Sequence, residues 1–140
     1  MPTATEAPRI YPTFRYRDAA RMIDWLTGIF GFTLRASFKD DQGVVQHAEL
    51  AYGSSMIMLG TVADDAYGAM VGSTVAPGAK STYVAVDDPD ALYARAKQAG
   101  VIIEEEPTDR SYGSREFICR DPEGNVWAFG TYWPKAGEAA

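Results

Sequence analysis

One cysteine and one histidine occur in 140 residues. Cys119 alone can form no disulfide within the chain, and a reducing cytoplasm suits such a sequence. His47 alone means that no metal site with several imidazole ligands can be made within one chain. Positive charge is also scarce. Lys and Arg number 13 against 19 Asp and Glu, for a formal net charge of −6. No basic stripe is present, which argues against a nucleic-acid partner. No apolar run approaches the roughly 20 residues that a membrane span needs. Met1 to Arg9 lacks the basic flank and apolar stretch of a signal peptide. These absences lead to the expectation of a cytoplasmic protein with no membrane partner. The length suits a single domain over 1–140 with a sizeable core.

What the chain does have is an internal echo. Asp18 and Asp88 each open a helical stretch, 88 − 18 = 70 apart. Met56 to Gly60 returns as Val126 to Gly130, again 130 − 60 = 70. Phe14 and Tyr16 fall on Val84 and Val86 by the same shift. A repeat of this kind sets the architecture. In the first copy, Ile10 to Arg17 reads as a strand, Asp18 as an N-cap, and Met22, Ile23, Leu26, Ile29 and Phe30 as a helix that Gly31 ends. Strands follow over Leu34 to Lys39, Val44 to Tyr52 and Met56 to Gly60. Thr61 to Lys80 is Gly/Ala-rich without a period and reads as a connection. The second copy runs from a strand at Thr82 to Val86 into a helix capped by Asp88, with Pro89 at its first position. Gly100 closes that helix. A strand at Val101 to Glu105, a polar loop at Pro107 to Ser114, and a hairpin around Asp121-Pro122-Glu123-Gly124 complete it. The expected fold is therefore α+β. Two pseudo-symmetric βαβββ modules, about 10–60 and 81–133, share a concave sheet.

His47-Ala48-Glu49-Leu50 followed by Ser55-Met56-Ile57-Met58-Leu59, and Tyr112-Gly113-Ser114-Arg115 followed by Arg120-Asp121-Pro122-Glu123-Gly124-Asn125, carry a further likeness. With these pieces the chain resembles the vicinal oxygen chelate superfamily over roughly Ile10 to Trp133. Within it, the chain looks most like the glyoxalase/bleomycin-resistance-like and PhnB-like proteins. The resemblance implies the glyoxalase/bleomycin-resistance/dioxygenase fold, a homodimer, and four metal-ligand positions at the inner strands. Carried over by motif, those positions fall on Tyr11, Met58, Ser81 and Ala128. None suits a hard or borderline divalent ion, and Met58 offers only a soft thioether. No metal or other cofactor is expected.

Strand alternation places Tyr11, Thr13 and Arg15 on one face, and Ser81 and Tyr83 on its counterpart. His47 and Glu49 join the cavity side because Ala48 and Leu50 make the apolar, helix-facing set. Their echoes by the shift of 70 are Phe117 and Cys119. Phe117 is thus read as lining, while Cys119 is read as a buried, inert thiol. Tyr112 and Arg115, on the polar loop, are candidates to close over a ligand. The sequence favours a metal-independent small-molecule binder like the sequestering bleomycin-resistance proteins. The alternative is a glyoxalase-like lyase or isomerase, or another enzyme acting on a carbonyl-containing substrate, with His47 and Glu49 as acid and base.

Overall fold

The computed structural model describes residues 7–71 and 80–134. The N-terminal tail and part of the connection read from the sequence, at 1–6 and 72–79, lie outside the described residues. The chain divides into two compact units, Met1–Val75 and Ala76–Ala140.

The first unit runs β1 (Thr13–Tyr16), α1 (Ala19–Gly28), β2 (Thr33–Lys39), β3 (Val45–Tyr52), β4 (Ser55–Thr61) and α2 (Ala66–Val71). Its sheet has the order β1-β4-β3-β2, with β1 parallel to β4 and the other pairs antiparallel. The Asp18 carboxylate accepts the Arg21 backbone N–H at 3.0 Å and so satisfies one orphan donor of α1. Met22, Ile23, Trp25 and Leu26 recur at helical spacing and are buried as α1 packs across the four strands. Each large apolar side chain removed from water there contributes about 1.5–3 kcal/mol. Gly31, at φ 76°, turns the chain back into β2.

The second unit repeats the plan with β5 (Ser81–Ala85), α3 (Pro89–Gln98), β6 (Ile102–Asp109), β7 (Arg115–Arg120) and β8 (Val126–Gly130). The sheet order is β5-β8-β7-β6. Asp88 caps α3 through the Ala91 N–H, and Pro89 opens it. Arg95 and Lys97 occupy the last turn, where the helix dipole favours cations. Phe117, Trp127 and Phe129 form a fully buried stack, and Tyr93 of α3 meets the Phe117 ring edge-on at 5.7 Å.

Several sequence expectations need correction. The connection after Gly60 includes the short helix α2. Strand β6 runs on through Pro107 to Asp109, so the loop expected from Pro107 is shorter. The polar run Glu104 to Glu106 lies inside this strand, where Arg120 holds Glu104 at 2.9 Å. The shift of 70 is also not constant. It holds at the caps, but Gly31 and Gly100 differ by 100 − 31 = 69. Leu50 pairs with Ile57, 57 − 50 = 7 positions on, whereas Cys119 pairs with Trp127, 127 − 119 = 8 positions on. The first module has one more residue between cap and glycine, and the second has one more in its last turn. Strand β7 therefore corresponds to β3 with a shift of 69. Both modules carry the same register break, at Leu34/Ala36 and at Ile103/Glu105.

Candidate functional site

In the first module, Thr13, Met58 and Glu49 lie in one row, on the sheet face away from α1. Met56 and Met58 are half-buried there. His47 Nε2 lies 3.0 Å from Glu49 Oε2, and Arg35 Nη1 donates to Glu49 Oε1 at 2.7 Å. The His47 hydrogen bond, with the Arg35 charge beside it, holds the Glu49 carboxyl below its ordinary range. Phe38 lies 6.0 Å from the imidazole, tilted to it. The structure thus brings His47, Glu49, Thr13 and Met58 together. Tyr11 is half-buried but precedes the regular part of β1. Arg15 is engaged elsewhere. Its guanidinium grips both Asp65 oxygens, at 2.9 and 3.1 Å, and lies 4.8 Å from the centre of the Tyr67 ring. The Asp65 hydrogen bond raises the Arg15 pKa.

In the second module, Ser81 and Tyr83 lie on the face away from α3, where Tyr83 pairs with Ala128 and Ala128 with Ile118. Phe117 does not line this face. It is fully buried on the helix side, because the extra turn residue moves β7 by one position and thereby reverses its faces. Cys119 is buried on that same side, and burial with the nearby Asp121 charge pushes its thiol up to about 12. An inert thiol follows. Arg115 does not close over the open face either. It reaches Asp90 of α3 with two contacts, at 2.7 and 2.8 Å, and Asp109 at 3.2 Å. These partners raise its pKa.

The counterpart of His47 is Glu116, 116 − 47 = 69 on, which sequence reasoning did not single out. Glu116 is 7% exposed. Burial alone would raise its pKa, but Ser114, Tyr112 and Arg110 donate to it and hold it below the ordinary value. Tyr112 Oη lies 3.0 Å from each carboxylate oxygen, and Arg110 Nε donates at 3.2 Å. Tyr83 Oη donates to the Tyr132 carbonyl at 2.6 Å. Burial and the Glu116 charge raise the Tyr83 pKa. Gly130 makes this assembly possible. A Cβ there would fall 2.5 Å from Glu116 Cγ and 2.8 Å from Tyr83 Oη. The signal for Glu116 was in the sequence as the run Glu116-Phe117-Ile118-Cys119-Arg120, where a face with Phe117 and Cys119 is wholly apolar and the other carries Glu116 and Arg120 beside Ile118.

Ala128 offers no donor atom, Ser81 and Tyr11 would ligate as ionised hydroxyls, and Met58 is a thioether. Among the described residues no three His, Cys, Asp or Glu side chains come together as a metal-holding group. These four residues do not fit a divalent ion. Among the described residues no helix is long and apolar enough to cross a membrane.

Paired βαβββ modules of this kind define a class, and the comparison with known proteins agrees. The family model described as Glyoxalase/Bleomycin resistance protein/Dioxygenase superfamily matches residues 10–129. The chain belongs to that superfamily. It is similar to TioX from Micromonospora sp. ML1, at 28% identity over 88% of this chain and 94% of that one, with a TM-score of 0.70. It is similar in fold to the fosfomycin resistance protein FosX from Mesorhizobium loti, at 16% identity over 92% and 95% of the two chains, with a TM-score of 0.64. An uncharacterised protein of Mycobacterium bovis is 28% identical over 128 residues, 88% of this chain and 82% of its own length.

Proposed function

We propose that this protein binds a mostly apolar or aromatic small molecule without a metal ion, in the manner of the sequestering bleomycin-resistance proteins. The observation that carries this reading is the donor set. By the resemblance, the ligand positions of metal-using members fall on Tyr11, Met58, Ser81 and Ala128, and on the sheet faces away from the helices Thr13 pairs with Met58 and Tyr83 with Ala128. Affinity must then come from burial and stacking. Roughly 200 Å² of apolar ligand surface would favour binding by about 5 kcal/mol before association costs. Methionines suit such adaptable surfaces.

A second reading rests on the 3.0 Å contact between His47 and Glu49. A carboxylate that orients an imidazole is an acid/base pair, and it would act on a carbonyl-containing substrate. One experiment separates the two. A thermal-shift ligand screen in EDTA is run on the wild type, His47→Ala and Met58→Glu, and hits are assayed for turnover. A binder keeps its affinity nearly unchanged in His47→Ala and loses it in Met58→Glu, which sets an unpaired charge among apolar groups. A metal-free enzyme loses turnover by roughly 10²-fold or more in His47→Ala. If neither substitution changes any hit, the ligand does not bind at these residues.

We also propose a homodimer. The family likeness supports it, and so do the sheet edges β2 and β6, which invite pairing. A monomer by sedimentation at micromolar concentration would contradict it.

A further inference from the structure

We propose that the face of the second module around Gly130 recognises an organic cation, with its ammonium group against the rings of Tyr112 and Tyr132 and Glu116 as the counter-charge. This deepens the metal-free binding reading and rests on it.

Charge is the first support. Glu116 is buried, and its cationic partner is shared. Arg110 is its cationic partner, but Arg110 also pairs with Glu105, so two carboxylates share one guanidinium. The cluster around Glu116 thus holds two acids and one base, a surplus of one negative charge. Keeping a carboxylate out of water costs free energy that a neutral apolar ligand cannot recover. A cationic ligand can.

The rings are the second support. Tyr83, Tyr112 and Tyr132 are 39%, 59% and 49% exposed, although each is a large aromatic. The hydroxyls of Tyr83 and Tyr112 are already engaged, with the Tyr132 carbonyl and the Glu116 carboxylate. The polar ends of these two side chains are therefore satisfied within the module, while much of their ring surface remains exposed. A phenol that donates to a carboxylate is polarised toward it, which makes its ring face more electron-rich. The Tyr112 and Tyr132 rings meet nearly at right angles, 77°, with centroids 6.0 Å apart. Ring faces beside a buried negative charge match an ammonium group.

The close packing at Gly130 is the third support. Gly130 lets Glu116 and Tyr83 approach each other, and any side chain there would push them apart. A quaternary ammonium needs no hydrogen bond, so it can sit on the rings without displacing Tyr112 from Glu116.

The test titrates the full-length protein, in EDTA, with choline chloride and with its neutral carbon isostere 3,3-dimethylbutan-1-ol, following tyrosine ring signals by NMR. Choline should bind about tenfold more tightly or better. Glu116→Gln should remove most of that preference and leave the neutral probe within about twofold. Because Glu116→Gln can unsettle the module, Tyr112→Leu, at an exposed position, serves as the second variant and should also remove the preference. Equal binding of the two probes would overturn the cation and leave metal-free binding standing. A preference that survives both variants, or no binding of either probe, would overturn this site. Binding that appears only after a divalent metal is added would overturn the metal-free reading together with it.

Discussion

The two modules share a backbone plan but differ in how they hold polar groups. In the first, the tight turn at Gly53, with φ 57°, joins β3 to β4. In the second, the turn is one residue longer and is organised around a buried carboxylate. Asp121 accepts from the Glu123 and Asn125 backbone N–H groups at 2.9 and 3.0 Å, and from Trp127 Nε1 at 3.0 Å. His47 and Glu49 on the first sheet correspond to Glu116 and Ile118 on the second. Caps, helix-ending glycines and the strand bulge recur because backbone geometry demands them. Residues facing away from the helices have diverged because nothing in the shared scaffold constrains them.

The largest expected break in this comparison comes from Asp121→Ala. It strands a buried indole N–H and two backbone donors, so it should lower stability by about 3 kcal/mol. Urea unfolding followed by tryptophan fluorescence measures this, and a change under about 1 kcal/mol would mean that the turn does not depend on the carboxylate. Next come the paired glycines. A Cβ at Gly60 would fall 2.6 Å from the backbone oxygen of Gln46, whereas at Gly130 it meets side-chain atoms. Gly60→Ala should cost about 3 kcal/mol and Gly130→Ala about 2 kcal/mol, since side chains yield more readily than backbone. Denaturation midpoints that reverse this order would contradict the packing described.

The smallest effect concerns acid. Glu116 and Glu49 both have folded values below their ordinary ones. The stability each provides is complete above the ordinary carboxylate value and is lost as the pH falls through the depressed folded value. Glu116→Gln should therefore flatten the acid limb of the stability–pH curve. Glu49→Gln should flatten it less, because Glu49 is the more exposed. Equal flattening would remove the distinction between the two sites.

The sequence made local rules legible. Asp18, Asp88, Pro89, Gly31, Gly100 and the Asp121 to Gly124 turn each act within a few residues, and each sits as the pattern implied. The burial of Tyr16 and Val86 follows from plain strand alternation, opposite Thr13, Arg15 and Tyr83. Phe117 was misplaced because its face was inferred from a counted repeat, and a single extra residue reverses a strand's faces; Arg115 was read as a loop residue, whereas it opens β7. The contact between Arg15 and Asp65 joins residues 50 positions apart, and no periodicity reports it. Helix α2 is too short to show a period. The burial of Glu116 depends on Gly130 and Tyr83, which reach it only in the folded module.

Metal-free binding is tested most directly by elemental analysis of protein purified without chelator, followed by ligand titration with and without EDTA. The expected result is well below one divalent ion per chain and ligand affinity unchanged by EDTA. A stoichiometric divalent metal, or affinity abolished by EDTA, would contradict the assignment.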